Sequence, residues 1–136
     1  MILFISGSRF IHRLTDRAIE ELELILADDS LGITEVVVGD ANGVDVFIQK
    51  LIEGSVTVYA TTFSIRNFAN SNAKLVRVGN TFTARDAEMT KVCDYHIGFV
   101  TNKNPCRGTK SNHTRAIKYG KQSILFNVDI NDFEDQ

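Results

Sequence analysis

The chain has 136 residues, of which 43% are hydrophobic and 24% are charged, and its formal net charge is −2. This length and composition fit one soluble globular domain with a substantial core. The weakly acidic balance argues against broad nucleic-acid binding, which needs a basic surface to displace counterions from phosphates.

The sequence also argues against secretion and membrane insertion. The apolar run at residues 2–5 is too short for a signal peptide and lacks a basic start. No stretch approaches the roughly 20 apolar residues that a membrane span needs. We therefore expect a cytoplasmic protein with no membrane partner, and free thiols at Cys93 and Cys106. The cysteines and histidines lack metal-ligand spacing, so we expect no metal and no cofactor.

Hydrophobic periodicity predicts alternating strands and helices. Short β-branched or aromatic runs indicate buried strands, and apolar residues every three or four positions indicate amphipathic helices. Thr15 is placed to cap a helix N-terminus, and Gly54 and Gly120 are placed to end two later helices. In chain order we predict a strand at 2–6, a helix at 15–27, a strand at 34–38, a helix at 44–52, a strand at 56–60, a helix at 84–92, a strand at 95–99, a helix at 109–119 and a strand at 123–126.

Strands that alternate with helices indicate a parallel α/β sheet joined by right-handed crossovers. We therefore predict a single three-layer Rossmann-like sandwich with a mainly parallel sheet of about five strands. Residues 1–128 would form this domain, and residues 129–136 an acidic C-terminal tail. Residues 61–83, rich in Asn, Ser and Thr, are the hardest to interpret, with a candidate additional strand at 75–78.

Three polar, glycine-bearing segments lie where predicted strands end or predicted helices begin. They are Gly7-Ser8-Arg9, residues 39–45 (Gly-Asp-Ala-Asn-Gly-Val-Asp) and Arg107-Gly108-Thr109-Lys110. The carboxyl ends of the strands of an open parallel sheet form the ligand crevice, so we expect the three segments to meet at one edge. Such an edge is typical of a site for an anionic, phosphorylated small molecule.

The first segment combines three useful groups. Gly7 allows the backbone to approach a ligand closely, Ser8 offers a hydroxyl, and Arg9 offers a forked cation suited to phosphate. The alternative is a simple turn with a surface arginine.

The second segment joins a strand to a helix. Gly39 and Gly43 permit tight geometry beside helix N–H groups that can bind an anion, and Asp40 or Asp45 could accept hydrogen bonds from ribose hydroxyls. Alternatively, Asn42 or Asp45 merely caps the helix. The sequence leaves both interpretations open.

The third segment is the best phosphate site in the chain. Backbone N–H groups, the Thr109 hydroxyl and the cations of Arg107 and Lys110 cluster near Gly108 at the positive end of a helix. Cations are unfavourable at a helix N-terminus unless an anion joins them, which favours ligand binding over a plain Thr cap.

A further candidate lies on the third predicted helix. Helical spacing places Arg85, Glu88, Met89 and Val92 on one face, with Met89 and Val92 packed under the sheet. Arg85 would then begin the helix on its buried side, where its charge needs a carboxylate or a ligand phosphate. The alternative is a weak ion pair with Glu88.

In this order the segments resemble the SLOG superfamily of small Rossmann-like proteins, above all its short stand-alone members. The resemblance covers nearly the whole chain and implies a pocket for a nucleotide or nucleotide-derived ligand. Each motif alone is weak, whereas the ordered set is fairly specific. The matching pieces are Gly7-Ser8-Arg9, Gly39-x-x-x-Gly43-x-Asp45, Arg85-Asp86-Ala87-Glu88-Met89, the strand from Asp94 to Phe99, and Arg107-Gly108-Thr109-Lys110.

More distantly, the chain is similar to the Lonely Guy phosphoribohydrolases, which cleave a base from a nucleoside monophosphate. The helix at 85–89 matches theirs except that Asp86 replaces a lysine, and Asn112 stands where they carry an essential glutamate. Breaking an N-glycosidic bond builds positive charge on the sugar, which a carboxylate should stabilise. The candidates to supply that carboxylate are Glu88, Asp45 and Asp40.

The leading interpretation is a sensor or sequestering protein that binds a nucleotide or nucleotide-derived phosphorylated small molecule at the C-terminal edge of the sheet. The first alternative is an N-glycoside hydrolase acting on a nucleoside monophosphate, with Glu88 or Asp45 as its carboxylate. The second is a protein-interaction module with a vestigial pocket. We expect no direct nucleic-acid partner, and a homodimer by analogy with related folds. The predicted ligand contacts are Gly7, Ser8, Arg9, Gly39, Asp40, Gly43, Arg85, Arg107, Gly108 and Thr109.

Overall fold

Strands and helices alternate along the chain. The structure, a computed structural model, describes residues 1–128, so the acidic tail expected at 129–136 lies outside the described residues. No helix within residues 1–128 has the length and apolar character that crossing a bilayer requires. In chain order the elements are β1 (Ile2–Gly7), α1 (Asp16–Ala27), β2 (Glu35–Val38), α2 (Val44–Leu51), β3 (Val56–Ala60), β4 (Lys74–Arg77), α3 (Phe82–Val92), β5 (Tyr95–Val100), α4 (Arg107–Lys118) and β6 (Gln122–Asn127).

The six strands form one parallel sheet in the order β4-β3-β2-β1-β5-β6. The chain builds outward from β1 to β4 and then returns to add β5 and β6 on the other side of β1. The strand order therefore reverses between β1 and β5, which is where open α/β sheets place their ligand crevice. The prediction of a Rossmann-like three-layer α/β sandwich is confirmed, with six strands because β4 forms at the edge of the sheet.

The alternation of side chains along the strands builds a core on each face of the sheet. Leu3 and Ile5 of β1 face a large cluster shared with α1 and α2, which includes the fully buried Ile48. Phe4, between them, points to the opposite face and packs with Met89 of α3. Two helical layers therefore enclose the sheet, and its β-branched runs are buried on both sides.

Capping residues determine where most of the helices begin or end. The predicted N-cap of α1 is confirmed, since the Thr15 hydroxyl accepts a hydrogen bond from the Ala18 backbone N–H at 3.1 Å. Gly120 follows α4 with a φ of 75°, as expected of a glycine that ends a helix. The prediction that α2 ends at Gly54 was wrong, because the helix stops at Leu51 and Ile52 is its C-cap.

Two helices begin earlier than predicted. Thr81 caps α3 by accepting from the Ala84 backbone N–H at 3.1 Å, so the helix starts at Phe82. The helix α4 starts at Arg107 because Cys106 turns the chain with a left-handed φ of 51°. In both cases the cap lies in a segment that carries no apolar periodicity, so hydrophobic spacing alone could not locate it.

Residues 61–73 are anchored by a buried glutamine of α2. The Gln49 amide group donates to the carbonyl oxygens of Gly39 at 3.0 Å and Asn67 at 3.2 Å, and its oxygen accepts from the Ala69 backbone N–H at 2.7 Å. Gln49 is fully buried, so these contacts replace the water that its amide would otherwise bind. The segment is thereby fixed beside the carboxyl end of β2, where it contributes to the site.

The close approach of β1 to α2 positions the first two glycine segments and can be tested at Gly7. A Cβ on Gly7 would lie 2.6 Å from Cβ of the buried Val44. We expect Gly7→Ala to lower the free energy of unfolding by about 1–3 kcal/mol in a urea titration, since overpacking forces backbone shifts. The matched control is Gly54→Ala, whose Cβ would meet no atom within 4 Å. Equal stability of the two variants would contradict the close packing.

Candidate functional site

A cavity of about 430 Å³ lies at the carboxyl edge of the sheet, beside the point where the strand order reverses. Its walls come from the end of β1 and residues 8–10 after it, the segments after β2 and β3, the first turns of α2 and α3, and residues 104–109 before and within α4. All three polar glycine segments therefore reach one cavity, as the sequence predicts. Among the predicted ligand contacts, those outside the lining are Asp40 and Gly43.

The N-terminus of α4 forms one wall of the cavity. Arg107, Gly108 and Thr109 line it, and Cys106, the N-cap residue, makes no side-chain capping hydrogen bond. The first N–H groups of a helix have no intrahelical acceptor and carry the positive end of the helix dipole. No acidic residue occupies the first turn of α4 to neutralise that end. This wall is therefore electropositive.

Gly98 allows that wall to lie close to the sheet. A Cβ at Gly98 of β5 would lie 2.7 Å from Cγ2 of Thr109 and 2.8 Å from Cδ2 of Leu125. The side chain of Thr109 therefore packs directly over the strand backbone. A glycine inside an apolar strand often marks such a close approach, and here it sets how deeply α4 enters the site.

The first segment contributes both backbone and side chains. Gly7, Ser8 and Arg9 line the cavity, with Arg9 exposed and its guanidinium carbon 4.9 Å from the centre of the Phe10 ring. Ser8 is buried, and its hydroxyl accepts from the Phe10 backbone N–H at 3.1 Å. Gly43 lies against the backbone of this segment, where a Cβ would approach the Ser8 carbonyl oxygen to 2.5 Å. Gly43 therefore holds two loops together rather than lining the cavity.

Asp40 lies behind the cavity wall, fully buried, and holds two arginines. Its Oδ1 atom accepts from Nη1 of Arg85 at 2.5 Å and from Nη2 of Arg66 at 2.9 Å. Its Oδ2 atom accepts from the Arg66 backbone N–H at 2.8 Å. Both oxygens are therefore occupied. The structure assigns Asp40 to this ion cluster and not to a ribose contact.

Arg85 is buried at the start of α3, as the sequence predicts, and carboxylates supply the partners that its charge requires. Besides Asp40, it reaches Oδ1 of Asp86 from Nε at 3.1 Å and from Nη2 at 2.8 Å. Its guanidinium carbon lies 5.4 Å from the centre of the Phe82 ring, and that of Arg66 lies 3.8 Å from the same ring. Guanidinium groups and an aromatic ring thus form a second cavity wall.

Asp45 is the carboxylate whose environment is most perturbed. It is buried in the first turn of α2, lines the cavity, and accepts from the Ala41 backbone N–H at 3.1 Å. Burial raises the pKa of Asp45 to about 7, although the charge of Arg85 opposes the rise. A carboxyl group that titrates near neutral pH in a cavity is suited to general acid–base chemistry.

The structure does not bring Glu88 to the cavity. Its carboxylate pairs with Nζ of Lys91 at 3.1 Å, and its side chain is 40% exposed. Arg85 and Met89 face inward from α3, whereas Glu88 and Val92 flank that face and meet solvent. The expectation that Val92 packs under the sheet was therefore wrong, and Glu88 is not placed to act on a ligand in this cavity.

Asn112 lines the cavity. It is buried, and its Oδ1 atom accepts from Nη1 of Arg115 at 2.7 Å. The carboxylates that line the cavity within the described residues are instead Asp45 and Asp86.

Several lining residues were not predicted from the sequence. Arg66 belongs to the segment after β3 whose path depends on Gln49, so local sequence held no signal for it. Phe10 did carry a signal, because this large aromatic ring lies next to a polar segment outside the apolar runs. Ser6 could have been noticed as the polar residue that ends an apolar strand.

The two cysteines differ in their placement relative to the cavity. Both cysteines are free, and burial raises the pKa of the Cys93 thiol to about 11. Cys106 lines the cavity and donates to the Asn104 carbonyl oxygen at 3.4 Å. Within residues 1–128, no group of three or more His, Cys, Asp or Glu side chains is placed to hold a metal ion.

Comparisons with protein-family models, with curated proteins and with solved structures found no match for this chain. Function has to be argued from the site itself, since one fold can host many chemistries.

Removing Arg85 tests the buried ion cluster. Arg85→Ala leaves Asp40 with Arg66, whose side chain is 34% exposed, as its remaining arginine partner. We expect a loss of about 3–5 kcal/mol in the free energy of unfolding, because an undercompensated buried carboxylate is costly. Arg66→Ala is the matched control and should cost roughly 1 kcal/mol, as expected for a partly exposed pair. A smaller loss for Arg85→Ala than for Arg66→Ala would contradict the assigned partners.

Asp45→Asn tests the raised pKa. Between about pH 4 and pH 7 the folded protein holds a proton on Asp45 that the unfolded chain releases, so this stabilisation is lost as the pH rises to about 7. The asparagine keeps an acceptor for the Ala41 N–H and does not titrate. We expect the variant to gain stability over the wild type between about pH 5 and pH 8, by on the order of 2–4 kcal/mol.

Urea titrations of the wild type and Asp45→Asn at about pH 5 and pH 8 measure this difference in the free energy of unfolding. His96 contributes an opposite trend, because burial lowers its pKa to about 3 and acid then favours the unfolded chain. That trend is common to both proteins and cancels in the comparison. A stability difference that is constant with pH would show that Asp45 is ionised throughout.

Proposed function

We propose that this protein binds a nucleotide, or a nucleotide-derived phosphorylated small molecule, in the cavity at the carboxyl edge of the sheet. The observation that carries the proposal is the convergence of an uncapped helix N-terminus with the Gly7-Ser8-Arg9 segment at one cavity. Backbone N–H groups at a helix N-terminus and arginine side chains are the groups that proteins use to hold phosphate.

The charge distribution supports an anionic ligand. Arg107 lies at the positive end of α4, where a cation is destabilising unless an anion neutralises it. Arg9 lines the same cavity and has no ion-pair partner among the carboxylates of the described residues. A phosphate group would satisfy both guanidinium groups and the exposed N–H groups of α4 together.

Aromatic rings beside this electropositive wall support a nucleotide over inorganic phosphate. Phe10 is 53% exposed and Phe82 is 47% exposed, and both line the cavity. Large apolar rings at the mouth of a polar cavity offer stacking surfaces for a planar base. The volume of about 430 Å³ falls within the range of roughly 300–1,000 Å³ that is usual for small-molecule sites.

A protein that holds such a ligand without changing it would act as a sensor or a sequestering protein. The second candidate function is N-glycoside hydrolysis of a nucleoside monophosphate, and the observation that favours it is Asp45. Its carboxylate lines the cavity with a pKa near 7, and in its ionised form it would stabilise positive charge on the sugar. Its activity would therefore rise with pH through about 7.

The test is to incubate the protein with nucleoside mono-, di- and triphosphates, cyclic nucleotides, ADP-ribose and NAD, and to record retained ligand and free base by mass spectrometry. Retained, intact ligand supports the binding role. Free base that disappears in Asp45→Asn supports the hydrolase. Neither ligand nor base would contradict both and favour a protein-interaction module with a vestigial pocket.

Two variants of α4 locate the bound phosphate. We expect Arg107→Gln to weaken binding of the retained nucleotide about tenfold or more, because a charge-assisted contact contributes roughly 1.5–3 kcal/mol. Lys110→Gln is the matched control, since Lys110 is exposed on the same helix and lies outside the cavity lining. Equal weakening by the two variants, measured by calorimetry, would indicate diffuse attraction rather than a defined phosphate site.

A further inference from the structure

A continuous hydrogen-bonded chain of four side chains leads from the cavity to the far side of β5. Ser6 lines the cavity, and its hydroxyl oxygen lies 2.7 Å from Nε2 of His96. Nδ1 of His96 lies 2.7 Å from the hydroxyl oxygen of Ser123, and Nδ1 of His113 lies 2.7 Å from the same oxygen. His96 is fully buried, whereas His113 on α4 is half-buried.

The protons of these four hydrogen-bonded side chains can be arranged in two ways that use every bond. The two rings are the side-chain partners that the structure gives the Ser123 hydroxyl, so when its single hydrogen is used between them Ser123 donates to one ring and accepts from the other. His96 remains neutral near physiological pH, because burial lowers its pKa to about 3, and a neutral ring has one N–H and one bare nitrogen. The direction of the bond at Ser123 therefore fixes the direction of the bond at Ser6.

In the outward arrangement, Ser6 donates to Nε2 of His96, His96 donates from Nδ1 to Ser123, and Ser123 donates to Nδ1 of His113. The hydrogen of the Ser6 hydroxyl is then held by the ring. In the inward arrangement every bond reverses: His113 donates from Nδ1, Ser123 donates to His96, and His96 donates from Nε2 to Ser6. The hydrogen of the Ser6 hydroxyl is then free to be donated into the cavity.

We propose that protonation of His113 favours the inward arrangement and so makes Ser6 a hydrogen-bond donor to an anion in the cavity. A charged imidazole carries hydrogens on both nitrogens, so a protonated His113 can only donate to Ser123. An anion in the cavity accepts from Ser6 and selects the same arrangement. Anion binding and proton uptake at His113 therefore favour each other, as linkage requires. This inference rests on the proposed anion-binding role of the cavity.

Charged groups on the elements around His113 also act on this linkage. Arg115 lies on the same helix and, like His113, disfavours a charge on His96. The helix α3, which packs against α4, carries Asp86, paired with Arg85, and Glu88, paired with Lys91.

The strands next to His113 contribute few ionisable side chains. The strands β1 and β6 carry no ionisable side chain, and β5 adds Tyr95 and His96. Burial raises the pKa of Asp45 to about 7, so Asp45 also contributes to the pH dependence of anion binding in the cavity.

The first measurement is the tautomer of His96, read from long-range ¹H–¹⁵N NMR correlations in the full chain. We expect the proton of His96 to move from Nδ1 to Nε2 as the pH is lowered from 8 to about 5, and also when sulfate is added at pH 8. Sulfate is the probe because its charge stays constant over this range. A His96 tautomer that stays unchanged under both conditions would overturn the inference.

The second measurement is sulfate affinity, followed through the amide signals of Gly108 and Thr109. We expect affinity to rise at least about fivefold from pH 8 to pH 6 in the wild type, which is the lower end of usual site-to-site coupling. Ser123→Ala interrupts the hydrogen-bonded side chains and should reduce this rise at least about twofold, leaving the part that Asp45 contributes. Ser111→Ala, an exposed serine of the same helix, is the matched control and should retain the full rise.

A second variant tests the inference independently, in case Ser123→Ala does not fold. His113→Gln replaces the imidazole at a half-buried position and should reduce the pH dependence of sulfate affinity to the same extent as Ser123→Ala. Sulfate binding with an equal pH dependence in the wild type and both variants would overturn the inference and leave the proposed function standing. Absence of sulfate binding at every pH would contradict the proposed function itself, and the His96 tautomer would still report on the chain.

Discussion

The buried carboxylate of Asp40 is the constraint on which the arrangement of the site depends. A fully buried charge is tolerated only when it is paired and hydrogen-bonded, and Asp40 obtains its partners from two distant parts of the chain. Arg85 comes from α3, and Arg66 comes from the segment after β3. Satisfying one carboxylate at the end of β2 therefore fixes both of these elements around the cavity. The Phe82 ring follows, since it packs against both guanidinium groups.

The α4 wall of the same cavity differs from this ion cluster, because its positive charge is not balanced by carboxylates of the described residues. The N-terminus of α4 has no acidic residue in its first turn, and Gly98 lets it approach the sheet closely. One side of the cavity thus has its charges satisfied by protein, and the other has positive charge available to a ligand. An anion would be drawn to the α4 wall, while the aromatic rings and Asp45 would meet the rest of the molecule.

Two buried ionisable groups give the site opposite responses to pH. Burial holds Asp45 protonated until about neutral pH and keeps His96 neutral far into the acid range. Both pKa shifts come from the cost of burying charge. Asp45 lines the cavity beside Ala41, and His96 is connected to the cavity by its hydrogen bond with Ser6. A carboxyl group that exchanges protons near neutral pH is suited to acid–base chemistry, whereas a neutral ring offers one hydrogen-bond donor and one acceptor.

The sequence by itself determined the α/β class, the order of the elements and the meeting of three glycine segments at one edge. These follow from local rules, since periodicity, caps such as Thr15 and the geometry of parallel strands need no knowledge of distant contacts. Only the tertiary structure decided which charged residues face the cavity. Asp40 and Glu88 were indistinguishable from Asp45 as carboxylates, and Arg66 lay in an uninterpreted segment. Their roles depend on partners tens of residues away, such as Arg85 for Asp40 and Gln49 for the segment of Arg66, and local sequence does not encode such pairings.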